Sequence, residues 1–424
     1  MGPASLIRLD VSIGLLLVIV LAGCGDGTAG PSGDPDHDLR QRFDLRALGP
    51  PPQPPEGLAP AARVALGRLL FFDPILSGEM DVACATCHHP SLGFADGRAF
   101  SAGASGRGLG PDRVPSGSAI TGEPIGLEPR NSPTVLNAAF NADEAGSPSH
   151  RGIQFWDGRA FGLEEQATIP ITSRVEMAGD AYPPEVARDS VLARLRAIPE
   201  YVELFRDAFP AEAGPPGDAS LISMETFGRA IAAYERELVT RETAFDAYAR
   251  GDDGALTRQQ KHGLELFFAK AACSSCHGGP MFSNYRFHVV GVPQSGDGKD
   301  VLPGDDTGRE EHTLDPADRY AFRTPTLRNV ELTAPYMHDG VFATIEEVVR
   351  FYNDGALPRH AAIADAAVDP LVRQPLGLTD IEMADLVAFL RALTDPGTAL
   401  DPLLRTVPRS VPSGLAPVFG TGGP

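Results

Sequence analysis

The pentapeptide Cys-x-x-Cys-His occurs twice in this chain, as Cys84-Ala85-Thr86-Cys87-His88 and as Cys273-Ser274-Ser275-Cys276-His277. Four of the five cysteines lie in these motifs, and the fifth is Cys24. The spacing is that of c-type haem attachment. Two thiols two residues apart reach the two vinyl groups of one porphyrin, and the adjacent His supplies the axial nitrogen to the iron. Zinc accepts paired thiols too, but gives no reason for a His directly after both pairs. A redox dithiol sits in a strand–helix context and needs one copy only. Two covalently bound haem c groups are therefore the expected cofactors.

The segments leading into the motifs repeat. Val64-Ala65-Leu66-Gly67-Arg68-Leu69-Leu70-Phe71-Phe72 precedes the first, and His262-Gly263-Leu264-Glu265-Leu266-Phe267-Phe268 precedes the second. Both carry apolar residues at helical spacing and end in Phe-Phe. Thr257 to Gln260 forms a capping box for the second helix. Further helices are expected at 184–208, 221–250, 344–353 and 379–393, the last opened by a capping box at Thr379–Glu382. Strand signals are few. Residues 101–130 and 291–312 are Gly-rich loops, and loops of that length often carry function. The predicted fold is mainly α, with two cytochrome c-like haem domains at 56–240 and 241–395. A Pro- and Gly-rich tail over 396–424 is expected on the surface.

At the amino terminus, the 12 apolar residues of 11–22 are too few to span a bilayer and suit a signal peptide. Leu21-Ala22-Gly23-Cys24 resembles a bacterial lipobox, which implies cleavage after residue 23 and lipid attachment at Cys24. Residues 24–55 read as a flexible tether. The expected location is the periplasm, anchored to a membrane by lipid. The net charge of −20 argues against a nucleic-acid partner and is compatible with steering of a basic protein partner.

Four further blocks resemble the bacterial di-haem cytochrome c peroxidases and their relative MauG. They are Leu66 to Pro74, Arg130-Asn131-Ser132-Pro133-Thr134 through Asn141, Phe155-Trp156-Asp157-Gly158-Arg159 through Glu176-Met177, and Phe322-Arg323-Thr324-Pro325 through Gly340. Together they cover most of 60–395. The resemblance implies that His88 is the proximal ligand of a peroxidatic haem and His277 that of an electron-transfer haem. It implies that Trp156, the one tryptophan, lies between the haems, with Gln166 and Glu176 in the distal pocket. It implies a calcium between the domains, held by Asn141 through its side chain and by Thr333 and Pro335 through their carbonyls, a donor set that suits a hard cation. Burial of Glu176 in a dry pocket would raise its pKa and suit it to proton transfer.

Two departures from the pattern matter. Peroxidases that need reductive activation carry a His in the loop after the first motif, and residues 90–130 contain none. His89 is too close to the proximal ligand to cross to the other face, so the first iron is expected to be open. The second departure is Tyr352, which stands where the peroxidases carry a Met ligand and where MauG has Tyr. A phenolate favours higher iron oxidation states. Met337 is a rival ligand, and Tyr352 on its helix stripe also suits a plain core position, as Trp156 does. His338 and His150 read as structural and loop residues.

The expected activity is reduction of hydrogen peroxide with electrons from a small redox protein, a cytochrome c or a cupredoxin. Tyr352 favours the MauG-like alternative, in which a protein substrate is oxidised. A non-catalytic di-haem electron carrier and a haem-based sensor are the readings from other classes.

Overall fold

The computed structural model describes residues 33–295 and 304–417. The expected signal peptide, Cys24 and the start of the tether lie outside the described residues. Helices dominate: α1 (Pro35–Arg42), α2 (Ala61–Phe72), α3 (Pro184–Arg196), α4 (Pro199–Ala208), α5 (Met224–Glu235), α6 (Ala244–Ala249), α7 (Arg258–Phe268), α8 (Ile345–Asn353) and α9 (Asp380–Arg391). Among the described residues the strands are three two-residue antiparallel pairs, which join 106–107 to 114–115, 153–154 to 160–161 and 287–288 to 322–323.

Local chemistry sets the helix ends. Thr257, Thr344 and Thr379 each cap their helix through the hydroxyl oxygen, and their backbone N–H groups donate in return to the side-chain oxygens of Gln260, Glu347 and Glu382. The stretch 184–208 is two helices rather than one. Pro199 lacks an N–H and turns Ile198 extended, so it ends α3 and opens α4. The stretch 221–250 also divides, because Thr243 caps a new helix through Asp246.

The repeat seen in sequence is a repeat in space. α2 packs on α5, and α7 on α9. Gly67 faces the carbonyl of Ala230 so closely that an added Cβ would lie 1.9 Å from its oxygen. Gly263 meets the carbonyl of Asp385 in the same way, at 2.0 Å. Each glycine thus permits a helix crossing that any side chain would block. The Phe-Phe pairs then fill two separate cores. Phe71 and Phe72 pack on Tyr234, and Phe267 packs on Phe282 and Phe389.

A second repeat joins the halves. Asn131 to Asn137 and Arg323 to Asn329 follow matching paths, each ending in an Asn in the left-handed region. Asn137 bonds the backbone of Leu238 and Thr240, and Asn329 that of Leu393 and Asp395. Both side-chain amides donate to the Thr240 hydroxyl, at 2.6 and 2.7 Å.

Both terminal segments differ from expectation. Within the predicted tether, α1 docks on the second half, where Phe43 stacks on Phe268 at 5.1 Å and Leu45 is buried. Lys261 pairs with Asp36 at 2.7 Å. The predicted surface tail instead packs on the first half, burying Leu404 and Val411 in its core. Ser413 donates to Asp73 at 2.7 Å, and Arg68 to the carbonyl of Thr406 at 2.9 Å. These few apolar residues give little periodicity, but they cover core that would otherwise face water.

Candidate active site between the two haem-attachment motifs

A continuous cavity of about 690 Å³ runs between the motifs. Cys87, His88, Cys273, Cys276 and His277 line it, and Cys84 sits partly buried against the first core. No disulfide links these thiols. Burial pushes the Cys84 and Cys273 thiols up to about 12 in the chain without haem.

The two histidines are held alike. His88 Nδ1 donates to the carbonyl of Phe94 at 3.2 Å, and His277 Nδ1 to that of Phe282 at 2.9 Å. Ser132 Oγ lies 3.3 Å from His88 Nδ1 and donates to Cys87 O. Burial lowers both rings to about 4, so both are neutral at physiological pH. With Nδ1 committed to a carbonyl, Nε2 is the nitrogen left for a metal, which is how an axial His is oriented. Paired thiols, an oriented imidazole and a mostly apolar cavity at each motif fit one haem apiece.

Trp156 lines the cavity and is tied to both halves. Its Nε1 donates to Asn131 O at 2.9 Å, and its own carbonyl accepts from Arg323 N at 2.8 Å. Asn131 and Arg323 are the matching first residues of the second repeat, so the indole sits where the halves meet. Arg323 Nε also fixes the carbonyl of Phe155, which adopts a positive φ. Beside it, Arg130 donates to Asp157 at 2.5 Å and to Asp306 at 2.6 and 2.7 Å. This buried set ties the first loop to the second half with charge-assisted bonds.

Gln166 ends the single helical turn Leu163–Gln166 and lines the cavity. Glu176 also lines it, from the wide turn Arg174–Ala178 whose start is capped by Ser173. Burial raises the Glu176 carboxyl, opposed by Arg159 and the Ser173 hydroxyl. Glu128, which sequence reasoning missed, lines the same cavity. Its only sequence signal is a charged residue just before the Arg130 block, at the end of a Gly- and Pro-rich loop.

Tyr352 projects from α8 into the cavity near Cys273 and Cys276. Burial, and then the two sulfurs, push its phenol above the ordinary value. Met337 lines the cavity too and packs in the same apolar cluster as Tyr352. His338 stacks on Phe322 at 3.9 Å. His89 Nδ1 bonds Ser91 Oγ at 2.6 Å, which fixes its ring beside its own turn. Asn141, Thr333 and Pro335 all line the cavity. The Asn141 amide nitrogen donates to Ile153 O and Gln154 Oε1, which leaves its oxygen as an acceptor.

A helical protein with two haem-attachment motifs facing one cavity is a di-haem c-type cytochrome. Residues 61–254 match the family model described as di-haem cytochrome c peroxidase. The chain is 35% identical over 383 residues to the methylamine utilization protein MauG of Methylorubrum extorquens, covering 90% of this chain and 91% of that one. It is 39% identical over 300 residues to the cytochrome c551 peroxidase of Pseudomonas aeruginosa, covering 71% and 74%. Among solved structures, a MauG-like protein associated with microbial copper homeostasis superposes with a TM-score of 0.66 at 31% identity, covering 84% of this chain and 96% of that one. The chain belongs to the di-haem cytochrome c peroxidase family, which includes MauG. It is an oxidoreductase that uses hydrogen peroxide, and its cofactors are two haems. Among the described residues no helix is long and apolar enough to cross a membrane.

Proposed function

We propose that this chain reduces hydrogen peroxide at the His88 side of the cavity with electrons that arrive through the His277 side. When bound, the haems supply the iron at which the peroxide bond is cleaved and the second redox centre that relays electrons. The protein supplies the rest. His88 and His277 hold Nε2 toward the cavity. Glu176, helped by Gln166, takes the proton of one peroxide oxygen and returns it to the other, which leaves as water. Balance requires two protons and two electrons for each peroxide converted to two waters. Trp156 bridges the halves on the electron path. The observation that carries this reading is the carboxyl of Glu176, raised by burial and facing the cavity that His88 lines.

We assign the first haem domain to 56–240 and the second to 241–395. We assign calcium to Asn141, Thr333 and Pro335, where it would fix the spacing of the halves. The electron donor is a small cytochrome c or a cupredoxin, and a periplasmic chain anchored through lipid on Cys24 would meet one. A second reading is favoured by Tyr352, whose phenol faces the cavity beside Cys273 and Cys276. As a ligand it would support MauG-like oxidation of a protein substrate.

The test is steady-state peroxide turnover by the two-haem protein and by Glu176→Gln. Loss of one proton-transfer group costs on the order of 10²–10⁴-fold in kcat, with the visible spectrum of both haems retained. Turnover unchanged in the variant would remove Glu176 from this role.

A further inference from the structure

Glu128 sits at the far end of the long loop from Glu176, yet both carboxyls open into one cavity. Its backbone is fixed, since Glu128 N donates to Ser101 O at 2.9 Å and Arg130 is clamped by Asp157 and Asp306. Its Oε1 is buried and has no hydrogen-bond partner among the described residues. A buried carboxyl oxygen left unpaired needs a reason. Burial and the charge of Glu176 oppose its ionisation, while Arg159, Ser173 and Arg130 favour it. Arg159 and Ser173 act on Glu176 as well, so the two carboxyls share the same stabilising groups.

We propose that Glu128 is a second proton-carrying residue of the peroxide site, holding with Glu176 one shared proton at neutral pH for the peroxide oxygen that remains after the first has left as water. Two buried carboxyls that face one cavity cannot both ionise cheaply. Burial, with the charge of Glu176, pushes the Glu128 carboxyl well above its ordinary value, while at Glu176 burial raises the carboxyl and Arg159 and Ser173 oppose the rise. The division of labour is then plain. Glu176 moves a proton between the two peroxide oxygens, and Glu128 gives one of the two protons that the net reaction consumes. Water reprotonates Glu128 from solvent, and the electrons come from the donor of the established activity. This rests on Glu176 as the proton-moving group.

Infrared spectroscopy of the ferric two-haem protein tests it. The wild type minus Glu128→Gln difference should contain the C=O stretch of a protonated carboxylic acid at neutral pH, fading as pH rises. In Glu176→Gln the same band should fade at lower pH, because the like charge is gone. Turnover of Glu128→Gln should drop on the order of 10²-fold and lose its decline toward alkaline pH. Absence of the band, or a band whose titration ignores Glu176→Gln, overturns the proposal. So does a Glu128→Gln enzyme with an unaltered pH profile. Should Glu128→Gln fail to fold, the titration in Glu176→Gln, against the wild type, decides alone. Lost turnover in Glu176→Gln without any such band would keep Glu176 and remove Glu128.

Discussion

Tyr352 shows how a residue's chemistry depends on what shares its pocket. In the protein alone its phenol is pushed up by burial and by Cys273 and Cys276. A cation beside it reverses that logic, since a metal takes the place of the phenolic proton. Tyr352→Phe should therefore change the visible and paramagnetic spectrum of the His277 haem and leave the His88 haem unaltered. Spectra identical to wild type at both haems would assign the ligand elsewhere, with Met337 the first alternative. The residue scale is also where sequence reasoning reached furthest and failed most instructively. Trp156, Gln166 and Glu176 stand out within an ordered block and Tyr352 by its place beyond the last one, and all four line the cavity. Glu128 does not stand out, because a lone carboxylate in a Gly- and Pro-rich loop carries no periodicity and no spacing.

Asp246 on α6 gathers several elements at once. Arg328 donates to both of its oxygens at 2.8 Å, Thr243 donates at 2.7 Å, and Leu48 N at 3.0 Å. The ion pair is almost wholly buried, with the side chains 1% and 0% exposed. Burial alone would raise the Asp246 carboxyl, but Arg328 and Thr243 outweigh it and hold it below the usual range. A folded pKa below the unfolded one gives stability present above the unfolded value and lost as pH falls through the folded one. Thermal melts should thus show an acid limb below about pH 4. Asp246→Asn should destabilise by about 3–5 kcal/mol, because it leaves Arg328 buried without its charge partner, and should flatten that limb. Melting unchanged at neutral pH would contradict this account of the pair. Helix starts were legible because caps are local: Thr257–Gln260 and Thr379–Glu382 announce themselves within four residues. The breaks at Pro199 and before Thr243 were also local, yet the apolar pattern on either side ran on and concealed them. The second repeat shares Pro-Thr and a final Asn between its copies, too little to find without its matching hydrogen bonds.

At the scale of the molecule, two similar halves hold one cavity, and each terminal segment buttresses the opposite half. α1 lies on the second core and the 402–415 segment on the first. This exchange was invisible in sequence, since contacts between distant residues leave no local pattern. The overall class was legible for the opposite reason: the attachment chemistry requires both thiols and the His within five consecutive residues. The two halves differ where function divides them. The cavity carries Glu128, Gln166 and Glu176, of which the two glutamates lie close enough to act on the Cys87 thiol, while α8 brings Tyr352 toward the sulfurs of the second motif. One metal centre is thereby expected to keep an open face for peroxide and the other to be closed by a protein ligand. Low-temperature paramagnetic resonance of the ferric, two-haem protein reads this directly. The account requires one high-spin and one low-spin signal in the resting state, with cyanide converting only the high-spin one. Two low-spin signals, neither responding to cyanide, would contradict it.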